Sequence, residues 1–261
     1  MEVAASNPAV KRIALVTGGN KGVGLETCRQ LASKGLKVVL TARNDARGLE
    51  AVEAIRHAGG DSDVVFHQLD VTDPSSAARL ADFVRDQFGR LDILINNAGI
   101  SGVYRDPVLV TQLKDQLSSS GRIVNVSSRF GLLRNFNSEE LRKEFNDIDS
   151  LTEKRLDELL DLFLEDFKAN LVEAQGWPTG GSSAYKVAKA ALNAYTRIIA
   201  KKYPALRINC LTPGYVKTDI SMHMGVLTPE EGASNSVKVA LLPDDGPTGA
   251  YFDRDGEASF V

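Results

Sequence analysis

The sequence contains few of the residues that bind metals or form disulfides. There are 2 cysteines and 3 histidines in 261 residues. Cys28 and Cys210 lack the spacing of a metal or redox motif, and both stand in apolar segments, which predicts reduced core residues. The three histidines are scattered at His57, His67 and His223. The sequence therefore predicts neither a metal site nor a disulfide framework.

The sequence also lacks long apolar runs and any strong excess of charge. No run approaches the roughly 20 apolar residues that a membrane span requires. Residues 1–12 have neither the apolar core of a signal peptide nor the composition of a transit peptide. The formal net charge is -3, so no strong field attracts nucleic acid or an anionic membrane. We therefore expect a cytoplasmic globular protein with no nucleic-acid or membrane partner.

Short apolar runs alternate with helical patterns in the first half of the chain. Residues 11–17 form such a run, a glycine-rich turn follows, and a helical pattern leads to a second run at residues 37–43. This strand–helix–strand unit predicts a parallel sheet. Gly18 and Gly22 permit a tight turn close to a pyrophosphate, while Gly24 permits close packing of the helix on the strand. The alternative, a purely structural glycine turn, is disfavoured by the strand before it and the helix after it.

The charges near this turn indicate which dinucleotide would bind. An NAD site usually has an acidic residue at the end of the second strand. Here Arg43 ends that strand, and Lys21 adds a second cation in the glycine loop. Both suit a 2'-phosphate, although Asp45 stands nearby and both cations could simply be solvated. The sequence favours NADPH.

The alternation continues beyond the second strand. We predict a helix over 44–57, a strand over 64–69, a helix capped by Asp73 that runs to Phe88, and a strand over 91–99. Asp70 and Asn97 follow strands, and open α/β sheets bind ligands at that edge.

The second half contains a potential acid–base pair. We predict strands over 121–128 and 249–256, a strand followed by a loop over 206–219, and a long helix over 182–203. Tyr185 and Lys189 are four residues apart on that helix and share one face. An ammonium beside a phenol would lower the tyrosine pKa, although a solvated lysine on a half-buried helix is the more common meaning of this spacing.

Together these segments resemble a short-chain dehydrogenase/reductase. The motifs TGGNKGVG, DVTD, NNAG, the two serines after IVNV, YKVAK and PGYVKTD occur in that family's order. The resemblance implies a Rossmann-type doubly wound α/β fold with a mainly parallel seven-stranded sheet and NADP(H) as cofactor. It implies Asn96 as a link between strands, and Ser128, Tyr185 and Lys189 as catalytic residues. The residues implied to contact the cofactor, besides Tyr185 and Lys189, are Thr17, Gly18, Asn20, Lys21, Gly22, Val23, Gly24, Arg43, Asp70, Val71, Asn97, Ala98, Gly99, Pro213, Gly214, Val216 and Thr218.

Two segments differ in length from the common family pattern. Residues 129–184 form a long insert, with a helix opened at Ser138 and another over 151–167 after an apparent capping box at Ser150–Glu153. Such an insert resembles the carbonyl-reductase branch, in particular plant enzymes related to menthone, neomenthol and salutaridine reductases. In that branch the insert covers the usual dimer face, which implies a monomer, although the helix could dock elsewhere or itself dimerise.

The crossover over residues 100–120 is shortened. It has room for one short helix, at about Val108 to Leu117, and lacks the asparagine-bearing helix that completes the family's proton relay. The chain is expected to form one NADP-binding domain over 1–261.

The expected reaction is reversible reduction of a small apolar ketone or aldehyde to an alcohol, with Tyr185 as proton donor. The alternative is a deletion variant that binds NADPH but is catalytically impaired. An NAD-linked epimerase is disfavoured because little sequence remains after Asp219. Several apolar residues could line the substrate pocket, although core packing is an alternative for several of them: Phe130, Leu132, Trp177, Tyr215, Met222 and Met224.

Overall fold

A computed structural model describes residues 11–59, 63–99 and 108–261 of the chain. The strands in these ranges are β1 (Ile13–Val16), β2 (Lys37–Ala42), β3 (Val64–Gln68), β4 (Leu91–Asn96), β5 (Leu117–Val126), β6 (Arg207–Leu211), β7 (Tyr251–Phe252) and β8 (Glu257–Ala258). The helices are α1 (Gly22–Ser33), α2 (Asp45–Gly59), α3 (Pro74–Phe88), α4 (Val108–Leu113), α5 (Glu139–Asn146), α6 (Glu153–Lys168), α7 (Ser183–Lys202) and α8 (Pro229–Ala240).

The strands form one sheet with the order β3-β2-β1-β4-β5-β6-β7-β8. Every neighbouring pair up to β7 is parallel, and β8 pairs antiparallel with β7. The chain reverses its direction of travel across the sheet between β1 and β4. In open α/β sheets, ligands bind at the carboxyl ends of the strands at such a point. The predicted Rossmann-type fold is confirmed.

Both faces of the sheet are covered by helices, because alternate residues of each buried strand point to opposite sides. Val16, Val38 and Ile95 belong to the core under α1, α2 and α8. Leu15 and Leu94 belong to the opposite core, under α3, α4 and the second half of α7. The catalytic candidates on α7 are thus held against the sheet by apolar packing.

The insert packs on the side of α7 that faces away from the sheet. Buried side chains of α5 and α6, among them Phe145 and Phe163, form one cluster with Val187 and Ala191 of α7. Ion pairs join the two parts, including Lys202 Nζ to Glu153 Oε1 at 2.7 Å. The sequence left open where the insert helix docks, and the structure shows that it packs on α7.

The capping of α6 differs from the sequence prediction. Thr152, rather than Ser150, is the N-cap, and its hydroxyl accepts from the backbone N–H of Arg155 at 3.1 Å. The Ser150 hydroxyl instead donates to the Asp147 carboxylate. The predicted capping box at Ser150–Glu153 is wrong because a second capping residue stands two positions later and leaves the Glu153 carboxylate free to pair with α7.

This difference can be tested by removing each hydroxyl. Thr152→Ala should lower the free energy of unfolding by about 1 kcal/mol, since an orphan N–H at the start of α6 loses its acceptor. The control Ser150→Ala should cost clearly less, because Ser150 bonds only to an exposed side chain. Urea unfolding followed by circular dichroism measures both changes. An equal or larger cost for Ser150→Ala would contradict the observed cap.

Two further segments differ from prediction. The short helix α4 ends at Leu113 rather than near Leu117, because Leu117 already pairs with Leu91 as the first residue of β5. The last predicted strand is a hairpin, since the Asp253 N–H donates to the Gly256 carbonyl at 2.9 Å and reverses the chain. This return strand is the eighth, one more than predicted.

One helix was missed. The start of α8 is marked in the sequence by Thr228, Pro229 and Glu231, and in the structure Thr228 and Glu231 form a reciprocal capping box.

Candidate active site

The glycine loop between β1 and α1 has the backbone geometry that the sequence predicted. Gly18 and Gly22 have φ of 64° and 56°, in the left-handed region that favours glycine. A Cβ on Gly24 would lie 2.3 Å from the Gly18 carbonyl oxygen, so only glycine permits this approach. The half-buried Asn20 and exposed Lys21 complete the loop, and α1 begins at Gly22 with free backbone N–H groups suited to an anion.

A polar contact joins this loop to the end of β4. The buried Thr17 hydroxyl accepts from the backbone N–H groups of Asn97 and Ala98, at 2.9 and 2.8 Å. The Asn97 amide donates to the carbonyls of Thr17 and Gly18. Because the Thr17 hydroxyl is used in this way, it holds the loop in position. The signal for this contact was the T-G at the end of β1 and the N-N-A-G at the end of β4.

The predicted link between strands is confirmed at Asn96. Its Nδ2 donates to Asn125 Oδ1 of β5 at 2.8 Å. Gly99 continues this edge, and a Cβ there would lie 4.0 Å from Lys189 Nζ. The end of β4 therefore reaches from the glycine loop to Lys189, the candidate catalytic lysine.

Arg43 and Asp70 lie at the carboxyl ends of β2 and β3. Arg43 is exposed. Asp70 accepts from the backbone and the hydroxyl of Thr72 at 2.9 and 2.7 Å, and these bonds, with a smaller contribution from the Arg43 charge, lower the pKa of its carboxyl. Val71 beside it is partly buried and packs against the core under α3. The two candidates therefore lie close enough to interact and flank one end of the expected cofactor groove.

The loop after β6 folds back over the glycine loop. Gly214 has a φ of 88°, and a Cβ there would lie 2.5 Å from the Leu227 side chain. A Cβ on Gly22 would lie 3.2 Å from Thr218 Cγ2, which places Thr218 beside the glycine loop. Val216 packs with Val23 in a small buried cluster, so these two candidates support the loop through apolar contacts. The half-buried Pro213 connects the loop to β6.

An ion pair between the two loops was not predicted. Lys21 donates to the exposed Asp219 carboxylate, which also lies 3.2 Å from His223 Nε2. The Lys21 contacts lower the pKa of Asp219. The only signal in the sequence was an acidic residue directly after Thr218.

Ser128 follows β5 and begins a 3₁₀ turn over 129–131. Its Oγ accepts from the Phe130 N–H at 3.2 Å, and its side chain is also hydrogen-bonded to Tyr185. Ser127 is buried and its hydroxyl is directed to α7 instead. This placement agrees with the assignment of Ser128, rather than Ser127, as the catalytic candidate.

Tyr185 and Lys189 lie on one face of α7, as the spacing predicted. Lys189 Nζ donates to the Val126 carbonyl at 2.8 Å and lies 5.7 Å from the centre of the Tyr185 ring. Burial lowers the pKa of the Lys189 ammonium to about 8. The three candidate catalytic side chains are therefore brought together at the end of β5.

The predicted shift of the tyrosine pKa has the wrong sign. Burial raises the pKa of Tyr185, because a buried phenolate loses its hydration, and the hydrogen bond with Ser128 opposes that rise only in part. The ammonium of Lys189 bonds to a backbone carbonyl, so it does not reverse the effect of burial. Tyr185 is thus a neutral phenol at neutral pH, with a proton to donate.

The predicted pocket residues fall into two groups. Trp177 is 0% exposed and donates from Nε1 to Asp166 Oδ2 at 2.7 Å inside the insert, and Leu132 packs with Cys210 and Tyr251 in the core. For these two residues the alternative of core packing is confirmed, because both side chains are buried in apolar clusters. Phe130 lies edge-on to Tyr185, with ring centres 6.2 Å apart.

The other predicted pocket residues belong to the loop after β6, which exposes a run of apolar side chains. Sequence reasoning missed two of its members, Ile220 and Val226. The exposed residues are Tyr215, Ile220, Met222, Met224 and Val226.

Neither a metal centre nor a membrane span is found in the described ranges. No group of three or more potential metal ligands occurs among residues 11–59, 63–99 and 108–261. Within the same ranges, no helix is long and apolar enough to cross a membrane. Cys28 and Cys210 are buried free thiols, and burial raises the pKa of both, that of Cys210 to about 12.

Comparison with known proteins agrees with this geometry. A family model described as short chain dehydrogenase matches residues 12–116. The chain is 43% identical to (+)-neomenthol dehydrogenase of Arabidopsis thaliana, over 95% of this chain and 98% of that one. It is 40% identical to carbonyl reductase [NADPH] 3 of Mus musculus, over 90% and 92%.

A solved structure has the same architecture. Salutaridine reductase from Papaver somniferum superposes with a TM-score of 0.87 at 40% identity, covering 93% of this chain and 99% of that chain. The alignment with the Arabidopsis relative spans 291 positions, more than the 261 residues of this chain, so that relative has residues with no counterpart here.

With its glycine loop, its strand order and its Ser128, Tyr185 and Lys189 in one place, the chain belongs to the short-chain dehydrogenase/reductase family.

Proposed function

We propose that the protein reduces a small apolar ketone or aldehyde to an alcohol with NADPH, and catalyses the reverse reaction. The observation that carries this proposal is the meeting of Ser128, Tyr185 and Lys189 at the carboxyl edge of the sheet, beside the glycine loop. Membership of an oxidoreductase family and relatives named as reductases support it.

The residues around the glycine loop fit a dinucleotide phosphate. The loop excludes any Cβ at Gly24, and its positive φ values leave backbone N–H groups at the start of α1 for a pyrophosphate. Arg43 would bind the 2'-phosphate, since its guanidinium is exposed and takes part in no ion pair that the described residues form. Thr218 and Lys189 would bind the nicotinamide end. When bound, NADPH supplies the hydride for the carbonyl carbon.

The side chains of the protein supply the proton and stabilise the charge. Tyr185 donates its phenolic proton to the carbonyl oxygen as that oxygen gains negative charge, and Ser128 donates a hydrogen bond to the same oxygen. Lys189 has a pKa of about 8, so most of it is protonated at neutral pH and can stabilise the phenolate that remains. The reverse reaction uses the same groups with Tyr185 as the base.

The apolar loop supports the choice of substrate class. Phe130 packs at the edge of the Tyr185 ring, and Met222 and Met224 are 72% and 60% exposed on the loop after β6. Exposed apolar side chains concentrated beside a site are typical of a binding surface. Flexible methionine side chains adapt to irregular apolar ligands.

The ion pair between Lys21 and Asp219 bears on the cofactor. If Lys21 binds the 2'-phosphate, its bond with Asp219 competes with that contact. Asp219→Asn should then tighten NADPH binding only about threefold, since solvent screens an exposed ion pair and keeps the competition weak. NADH affinity should not change.

Titration of the intrinsic fluorescence with each cofactor measures these affinities. Glu230→Gln is the matched control, because Glu230 is an exposed carboxylate that pairs with Arg29 of α1. An equal gain for NADH and NADPH would show that Asp219 does not act through the 2'-phosphate.

The proposed activity is tested by a cofactor titration combined with a panel of cyclic and acyclic ketones and aldehydes. Oxidation of NADPH should be seen with apolar cyclic ketones, followed at 340 nm. Tight NADPH binding without hydride transfer to any carbonyl compound would contradict the proposal and favour the impaired variant. The comparisons do not support that variant.

Two further features belong to the proposal. The insert occupies the outer side of α7, and this supports a monomer, the state that the resemblance implies. All eight described strands belong to one sheet, which supports a single domain over the chain.

A further inference from the structure

Asn193 is a buried polar side chain on the catalytic helix with no part in the mechanism above. It is 3% exposed and lies four residues after Lys189, on the same face of α7. A buried amide is costly unless its polar atoms are satisfied. Its contacts therefore indicate why an amide occupies this position.

Both ends of the Asn193 amide bond to the loop that carries Ser128. The Ser127 hydroxyl donates to Asn193 Oδ1 at 2.6 Å, and Asn193 Nδ2 donates to the Gly131 carbonyl at 3.0 Å. Ser127 directly precedes Ser128, and Gly131 closes the turn that Ser128 begins. One side chain thus holds the loop on both sides of the catalytic serine.

The loop is pressed against α7 at the level of Lys189. A Cβ on Gly131 would lie 2.5 Å from the Lys189 carbonyl carbon, so the turn has no freedom to move closer. The Gly131 N–H donates to the Ser128 carbonyl at 2.9 Å, and this bond links Ser128 to the restrained turn. The turn that carries Ser128 is therefore held by close packing on Lys189 as well as by the two Asn193 bonds.

We propose that Asn193 is a positioning residue that fixes the Ser128 hydroxyl against the Tyr185 phenol. The proposal rests on the proposed function for its effect on turnover. The geometric part stands on the contacts alone. Without the amide, the turn would keep its apolar packing but lose the two bonds that flank Ser128.

The kinetic test is a double-mutant cycle between Asn193→Ala and Ser128→Ala. Asn193→Ala should lower kcat for NADPH-dependent ketone reduction about tenfold and leave the Kd for NADPH within about twofold. Adding it to Ser128→Ala should have no further effect on kcat, because the positioned group is already gone. Ser127→Ala, a smaller change that breaks one of the two bonds, should reproduce part of the loss.

A spectroscopic test needs neither substrate nor cofactor. The Ser128 hydrogen bond lowers the pKa of Tyr185, so loss of its position should raise that pKa. Titration of phenolate absorbance, with Tyr185→Phe as the subtraction, should show an upward shift in Asn193→Ala and in Ser128→Ala. The double variant should show no additional shift.

Asn209 provides the matched control. It is 2% exposed on β6 and makes two similar bonds, from Nδ2 to the Pro247 carbonyl and to Oδ1 from the Ala250 N–H, both at 2.9 Å. Asn209→Ala should lower thermal stability without changing kcat or the Tyr185 titration.

These tests distinguish a failure of the positioning role of Asn193 from a failure of the proposed carbonyl-reducing activity. Multiplicative losses in kcat, or an unchanged Tyr185 titration in Asn193→Ala, would overturn the positioning role. A wild-type protein that reduces no carbonyl compound, with the Tyr185 shift still present, would overturn the proposed function and leave the positioning role standing. If Asn193→Ala does not fold, the same comparisons are made with Ser127→Ala.

Discussion

A Tyr185→Phe variant is expected to lose about a thousandfold in kcat, which is the middle of the range for removal of a general acid. The phenylalanine ring keeps the edge-on contact with Phe130 and removes only the hydroxyl. NADPH affinity should stay within about threefold, because the glycine loop and Arg43 are unchanged. Steady-state kinetics and a fluorescence titration on the same preparation measure both quantities.

Tyr195 provides a control for the tyrosine substitution. It lies on α7 three turns further along and packs against the core between helix and sheet. Tyr195→Phe should leave kcat within about twofold. Full turnover in Tyr185→Phe would show that Tyr185 is not the proton donor.

An Arg43→Asp variant is expected to change the ratio of NADPH to NADH efficiency about a hundredfold in favour of NADH. A charge-assisted bond to phosphate contributes about 1.5–3 kcal/mol, and the new carboxylate repels the phosphate while it can accept from a ribose hydroxyl. Asp70 lies near enough for its pKa to respond to the Arg43 charge, so loss of that charge should also raise the pKa of Asp70. The ratio of kcat/KM with the two cofactors measures the change.

Arg12→Asp provides the same change of charge at a different place. Arg12 is exposed and immediately precedes β1, at the amino edge of the sheet, opposite the cofactor groove. It should leave the cofactor ratio unchanged. A ratio that does not respond to Arg43→Asp would assign the 2'-phosphate contact to another cation, with Lys21 the first to test.

Local patterns were sufficient to predict the parallel strands and the edge of the sheet on which the candidate cofactor and catalytic residues lie. The glycine spacing after β1 predicted a turn whose φ values only glycine readily adopts, and Gly18 and Gly22 have those values. Parallel strands bring their carboxyl ends to one edge, so Asp70, Asn97 and Ser128 could be placed on that edge from the sequence.

Properties that depend on burial could not be predicted in the same way. The spacing of Tyr185 and Lys189 gives their distance but not the loss of hydration around the phenol, which decides the sign of the pKa shift. Trp177 is close to Tyr185 in sequence, yet its indole N–H is satisfied by Asp166 within the insert. In the sequence, Asn193 is one polar residue of a helix. Its bonds to the loop that carries Ser128 depend on the tertiary structure and could not be predicted.

The packing of the insert on α7 determines how the stability of this contact depends on protein concentration. Phe145, Phe163 and Trp177 share one apolar cluster with α7, and all of them belong to the same chain. An intramolecular contact has a fixed effective concentration, so dilution cannot weaken it. A helix covered by a second subunit would instead become less stable as protein concentration falls. The contact between the insert and α7 therefore does not weaken as the protein concentration falls, and it supports the helix that carries Tyr185 and Lys189 at any concentration.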